Sequence, residues 1–197
     1  GRLTHVISQK PGDITAWNTL ENISPFGTYT QWVKLANGDL YLFYRHGSHR
    51  SDWVYQKSVD DGRTFAPEVS VLKHKVSSAK PTVHDSWYAW FDNGQGDTIT
   101  ASYVYHPCAF PGHNARRNNT YYMLMDCRDG SWANVQGQRL TLPVTKESAD
   151  KLTLIQATGT EKSNHGTCHV DADGRPHVFF RFPGGQVRYY RWDGKAW

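Results

Sequence analysis

From Gly27 onward one unit recurs three times: a strand, a Gly-centred turn, a strongly apolar strand, a connection, a third strand, and a polar turn closed by an aromatic. The closing aromatics are Phe65, Trp132 and Trp197, spaced 67 and 65 residues apart. In the first copy the segments are Tyr29 to Leu35, the turn Asn37-Gly38-Asp39, Leu40 to Tyr44, and Trp53 to Lys57. The second runs through Ser86 to Phe91, Asn93-Gly94-Gln95-Gly96, Thr98 to Tyr105 and Thr120 to Met125. The third runs through Thr167 to Val170, Asp173-Gly174, His177 to Phe182 and Val187 to Arg191. Tandem four-stranded modules that bury their faces against one another are the pattern of a β-propeller. The predicted fold is therefore all-β, a propeller of four-stranded antiparallel blades at about residues 27–75, 80–143 and 163–197. Three blades do not close a ring, since four to eight are typical. The third also stops at Trp197, where a fourth strand is due. The expectation is that residues 1–197 are part of a single larger propeller domain, for instance a seven-bladed ring. Residues 1–26, punctuated by Pro11-Gly12 and Pro25, read as a connecting segment.

Ser58-Val59-Asp60-Asp61-Gly62-Arg63-Thr64-Phe65 fits the Asp-box pattern, Ser-x-Asp-x-Gly-x-Thr-aromatic, at every defined position. The Asp carboxylate accepts hydrogen bonds from its own turn, Gly supplies the unusual dihedral, and the aromatic plugs between sheets. This motif is structural, so Asp60 is given no catalytic role.

Strand direction decides which polar residues meet. In an up-and-down blade the start of the first strand, the end of the second and the second-to-third connection share one rim. That rim collects Arg45, His46 and His49 from the first copy, and His84, His106, Cys108, His113, Arg116 and Arg117 from the second. From the third it collects His165, Cys168, His169 and Arg181. Most of the ten histidines fall there, while the opposite rim holds plain Gly and Asp turns, a segregation expected of a binding face. The net charge of +4 and a pI of about 8.9 permit an acidic ligand. Basic residues form no run of the kind that tracks phosphates, which argues against nucleic acid. There is no apolar run of membrane-spanning length and no signal peptide, and a chain that begins at Gly1 leaves room for a removed leader.

Three cysteines, Cys108, Cys127 and Cys168, cannot all pair within the chain. Cys127 ends the third strand of the second copy, roughly 25 Å along the hairpin from Cys108. Cys108 and Cys168 share the rim, and His106, Cys108, His165 and Cys168 together would suit tetrahedral zinc, with His113 as a substitute ligand. A Cys108–Cys168 disulfide or two free thiols are the alternatives. No organic cofactor is expected.

Tyr44-Arg45-His46-Gly47, Asn119-Thr120-Tyr121-Tyr122, Gly137-Gln138-Arg139-Leu140-Thr141-Leu142-Pro143 and Gly174-Arg175-Pro176-His177-Val178-Phe179 resemble the BNR-repeat polysaccharide lyases, in particular the propeller ulvan lyases. The likeness covers most of Gly27 to Trp197. It implies a secreted or periplasmic enzyme that cleaves an acidic, sulfated algal polysaccharide by β-elimination at a uronic acid. It further implies His and Tyr as acid and base, Arg against the uronate, and a structural zinc. Carried onto this sequence, the catalytic residues would be His46 and Tyr105, with His49 as the substitute. Arg45, His84, Arg116, Arg117 and Arg181 would bind substrate. The family often carries a further His at the start of the first strand, where this chain reads Gly27-Thr28-Tyr29.

Elementary chemistry agrees with such a role. Removing a proton beside a carboxylate requires that carboxylate's charge to be offset, for which the permanently charged, two-pronged Arg is suited. The rival enzyme is a sialidase-type hydrolase, which needs a Tyr nucleophile with a Glu partner and an Asp acid. The sequence places Glu21, Glu68, Glu147 and Glu161 away from the rim, against that reading. The non-enzyme rival is a carbohydrate-binding propeller.

Overall fold

The computed structural model describes residues 1–48, 50–77, 82–108 and 117–197. Strands β1 (Leu3–Ser8) and β2 (Trp17–Ser24) form an antiparallel hairpin in which Leu3 faces Ser24 and Ser8 faces Trp17. The sequence predicts only a connecting segment there. A two-stranded ribbon that lays little more than Leu3 and Ile23 on its neighbour has no need of a clear apolar alternation.

The first repeat is a four-stranded antiparallel sheet in the order β3 (Thr28–Lys34), β4 (Leu40–Arg45), β5 (Trp53–Ser58) and β6 (Val69–Leu72). Its Asp-box closes as the motif requires. The Asp60 carboxylate accepts from the Thr64 amide at 2.9 Å and the Thr64 hydroxyl at 2.7 Å, which holds its pKa down at about 2. The Gly62 amide donates to Ser58 Oγ at 2.9 Å with φ at +78°, a left-handed value that favours glycine. The Phe65 ring then packs against Trp32 and the hairpin's His5.

The second sheet runs through β7 (Lys75–Val76), β8 (His84–Asn93), β9 (Thr98–His106), β10 (Asn118–Asp126) and β11 (Ser131–Ala133). A short helix, α1 (Lys146–Leu152), capped by Thr145, leads into β12 (Leu154–Gln156), which also pairs with β10. The helix buries only Ala149, so it leaves no apolar period in the sequence. The third sheet has three strands, β13 (Asn164–Val170), β14 (Pro176–Arg181) and β15 (Val187–Arg191). Among the described residues no helix is long and apolar enough to cross a membrane.

The alternation of β8 joins the three sheets. Its odd face, Trp87, Ala89 and Phe91, packs on the first sheet: Phe91 stacks on Phe43 with centroids 4.0 Å apart, and Trp53 Nε1 donates to the Trp87 carbonyl at 2.8 Å. Gln31 of β3 bridges to the Ala89 carbonyl and the Phe91 amide. Tyr88 on the even face belongs instead to a core with Val104, Tyr122, Cys168, Val178 and Phe180.

Asp52, in the β4–β5 connection, ties the end of the first sheet together. Its carboxylate accepts from Ser70 at 2.6 Å, from the His74 amide at 3.0 Å and from Lys73 at 3.1 Å, and pairs with His74 Nδ1 at 2.6 Å. Burial pushes its pKa up, but these hydrogen bonds outweigh that and hold it below the ordinary carboxylate value.

Phe43→Ala should lower unfolding free energy by about 3–5 kcal/mol in urea titration, because it empties a site that is 0% exposed. Asp52→Asn should lower the melting temperature at pH 7. A depressed carboxylate contributes stability above its unfolded pKa of about 4 and loses it as pH falls through the folded value. The difference in melting temperature between the two proteins should therefore shrink progressively below about pH 4.

Candidate functional site

At the end of the sheets where β3, β8 and β13 begin, charged side chains converge on one ring. Arg45, the last residue of β4 and 3% exposed, holds its guanidinium 4.8 Å from the Tyr29 ring and 5.5 Å from the Tyr88 ring. Arg117, immediately before β10, lies 4.1 Å over the same Tyr88 ring. Tyr29 and His106 meet that ring edge-on at 5.5 Å and 5.4 Å. Tyr88 thus has two guanidiniums close to its ring, a group that carries a permanent charge.

Local irregularities in two strands aim these groups. The register shifts between Thr28 and Gln31 in β3 and between Asn118 and Tyr121 in β10. Within those bulges Tyr29 and Asn119 each take φ near +60°, a left-handed conformation uncommon for any residue with a Cβ and costly for an aromatic one. Such strain is found where a side chain has to be redirected. Burial raises the Tyr29 hydroxyl pKa, as does hydrogen bonding to Tyr88, while Arg45 and Arg117 pull it down.

His165 borders the cluster, its ring 4.7 Å from Trp90. Burial, then the charges of Arg181 and Arg117, lowers its pKa and favours the neutral imidazole. Arg117, Arg181 and Asn164 line a cleft of about 270 Å³ beside it.

His46 follows Arg45 in the chain, and its Nδ1 pairs with Glu68 at 2.9 Å. Glu68 also accepts a hydrogen bond from the Tyr44 hydroxyl, whose oxygen lies 2.7 Å from Gln56 Oε1. This corrects the sequence placement of Glu68 away from the rim. The residue stands just before β6, and its side chain reaches the Tyr44 hydroxyl and His46 at the end of β4. Next to it, His74 stacks on His84 at 5.0 Å, and His84 Nδ1 is buried with no hydrogen-bond partner among the described residues. His46, Arg50, Asp52, Glu68 and His74 line a second cleft of about 350 Å³.

Tyr105 lies elsewhere. It is 7% exposed in the core between the first two sheets, and its hydroxyl donates to Asp85 at 2.7 Å. His49, Arg116 and His113 lie outside the described residues.

The expected zinc set is not brought together. The Cys108 amide is bound to Asp85 and its thiol lies by the His106 carbonyl, whereas Cys168 sits beside Thr100 and Asp92 near the other end of β9. Thr100 and His106 are six positions apart, about 20 Å of strand. The reason is that β13 carries Cys168 four residues inward from Asn164, so it enters the sheet core and not the rim. His169, opposite His177, lies as far from that strand end but its side chain stays exposed. Cys108, Cys127 and Cys168 are all free thiols, so no Cys108–Cys168 disulfide forms. Among the described residues no three side chains of ligating type are grouped to hold a metal. Burial, followed by the Asp85 charge, pushes the Cys108 thiol up to about 11.

Sequence reasoning missed Tyr29, Tyr88 and Glu68. Tyr88 carried a usable signal, because it alternates with the core residues Trp87 and Ala89 close to the start of β8. Tyr29 did not, because its bulge reverses the face that simple alternation assigns it.

The chain is 48% identical to an ulvan lyase of Pseudoalteromonas sp. (strain PLSV), and 49% identical to an ulvan lyase of Alteromonas sp. (strain LOR). These matches cover 100% of this chain and 43% and 44% of those proteins, so the chain spans under half the length of the curated relatives it matches. A solved polysaccharide lyase structure, an ulvan lyase bound to -[GlcA(1-4)Rha3S]-, superposes with a TM-score of 0.90 at 48% identity, over 98% of this chain and 48% of that one. The model of the BNR repeat-containing family matches residues 1–197, and the chain belongs to that family.

Proposed function

We propose that the chain supplies the uronate-binding part of a polysaccharide lyase that cleaves ulvan by β-elimination, within a β-propeller of four-stranded blades larger than the three sheets described here. The observation that carries this reading is the pair of guanidiniums, Arg45 and Arg117, close to the Tyr88 ring. Likeness to ulvan lyases over the whole chain supports it.

In this reading the two arginines offset the uronate carboxylate, which lowers the cost of removing the proton from the adjacent C5. The electron pair left on C5 forms the C4–C5 double bond as the C4–O bond breaks, and the departing oxygen takes up a proton. One proton leaves C5 and one arrives at the leaving oxygen, so a base and an acid suffice. The Tyr88 hydroxyl is the proton-transfer group at the arginines. His46 is the second, at the border of the cluster: with Nδ1–H directed to Glu68, its Nε2 is the nitrogen left to exchange a proton. Tyr105, committed to Asp85, supports the strand from behind. A polymer of this kind is met outside the cytoplasm, which supports a secreted or periplasmic protein.

Treating ulvan with the complete protein should raise the ultraviolet absorbance of unsaturated uronate ends. Tyr88→Phe and Arg117→Ala should each cut that rate by about two orders of magnitude or more. Tyr105→Phe should act mainly on thermal stability. Reducing ends without absorbance would replace the lyase by a hydrolase, no product would leave a binding propeller, and full turnover by Tyr88→Phe would remove Tyr88 from the chemistry.

A further inference from the structure

The Tyr88 hydroxyl oxygen is closed off from solvent, and the residue as a whole is 5% exposed. A proton-transfer group must come within hydrogen-bond reach of the atom it serves. A hydroxyl closed off in this way cannot reach a sugar, so the proton it exchanges has to pass through a neighbour. Tyr29 is placed to be that neighbour. It is 49% exposed, its ring meets the Tyr88 ring at 5.5 Å with 75° between the planes, and its hydroxyl is hydrogen-bonded to Tyr88.

The backbone pins Tyr29 there from both sides. The preceding residue, Thr28, donates its hydroxyl to the Gly47 carbonyl at 3.1 Å, immediately beyond His46. Just after Tyr29, Gln31 bonds to the Ala89 carbonyl and the Phe91 amide, on the strand that carries Tyr88. The bulge between these anchors turns Tyr29 to a φ of +60°, a left-handed value that a tyrosine adopts where its surroundings impose it. Its ring then lies 6.3 Å from that of Trp53, with the Arg45 guanidinium at 4.8 Å. The strained residue is thus anchored to the two segments that bear His46 and Tyr88.

We propose that Tyr29 is a catalytic residue: its hydroxyl meets the sugar and carries a proton between the leaving oxygen and the buried Tyr88 hydroxyl. This rests on the lyase reading and adds a residue to it. The movements balance. His46 Nε2 takes the C5 proton, the C5 electron pair forms the C4–C5 double bond, and the C4–O bond breaks. The departing oxygen takes the Tyr29 proton while Tyr29 takes that of Tyr88. The negative charge comes to rest on the Tyr88 oxygen, whose ring has Arg117 at 4.1 Å and Arg45 at 5.5 Å to offset it. The proton held by His46 returns to the tyrosines through water, entering at the half-exposed Tyr29.

The test is the steady-state formation of unsaturated ends from ulvan by the complete protein, its Tyr29→Phe and Tyr88→Phe variants, and the double variant. Phenylalanine keeps the ring beside Arg45 and Trp53 and removes only the oxygen, so Tyr29→Phe should melt as the parent does. Tyr29→Phe should lower kcat about a hundredfold while KM changes by less than about twofold. The double variant should be about as slow as the slower single variant, because one chain of hydroxyls is then cut twice to no further effect. Parent-like turnover by Tyr29→Phe, or a double variant whose loss is the product of the two single losses, would overturn the assignment. A raised KM at unchanged kcat would overturn it too, leaving Tyr29 a platform on which the sugar stacks. A parent that makes no unsaturated ends overturns the lyase reading itself, an outcome set apart from the others by that control.

Discussion

Two guanidiniums held against one tyrosine ring set the requirements that the rest of this fold meets. Placing Arg45 at 3% exposure beside Tyr29 and Tyr88, with Arg117 on the same Tyr88 ring, demands that strands from two sheets end at one level. Cation–ring contacts contribute on the order of 0.5–2 kcal/mol each, too little to position long side chains unaided. The precision comes from packing beneath. Phe43 stacked on Phe91, and Gln31 bonded to the backbone of β8, fix the first two sheets face to face. A slip of β8 by one residue would exchange Tyr88 for Trp87 at the cluster.

Much of this was legible in the sequence because it rests on periodic features. The spacing of Phe65, Trp132 and Trp197 marks the three repeats, and strand polarity alone carries Arg45, Arg117, Arg181, His106 and His165 to one end. What escaped depends on departures from periodicity. The bulges at Tyr29 and Asn119 are single-residue insertions without a sequence signature, and the hairpin of β1 and β2 buries too few apolar side chains to alternate clearly. Cys168 and His169 were carried to the rim by counting β13 from too late a residue. The strand begins at Asn164, so both lie well past that end. Glu68 escaped because it precedes the edge strand β6 and reaches His46 only through its side chain, a closeness that chain order does not reveal.

The site divides its chemistry along the sheet edge. On the hairpin side, Tyr44, Glu68 and His46 form a chain of hydrogen bonds ending at a half-exposed imidazole. At the centre stands the arginine and tyrosine cluster, and beyond it the cationic cleft of Lys162 and Arg181. In the proposed reading the proton-transfer group at His46 and the carboxylate position at Arg45 and Arg117 lie along one edge, as an extended anionic chain would meet them.

The most direct measurement is the affinity of the complete protein for a uronate-containing oligosaccharide before and after its carboxylates are reduced to primary alcohols. If Arg45 and Arg117 receive the carboxylate, reduction should weaken binding by roughly tenfold or more, and Arg117→Ala should erase the difference. Equal affinity for the acid and the alcohol would contradict the account at its centre.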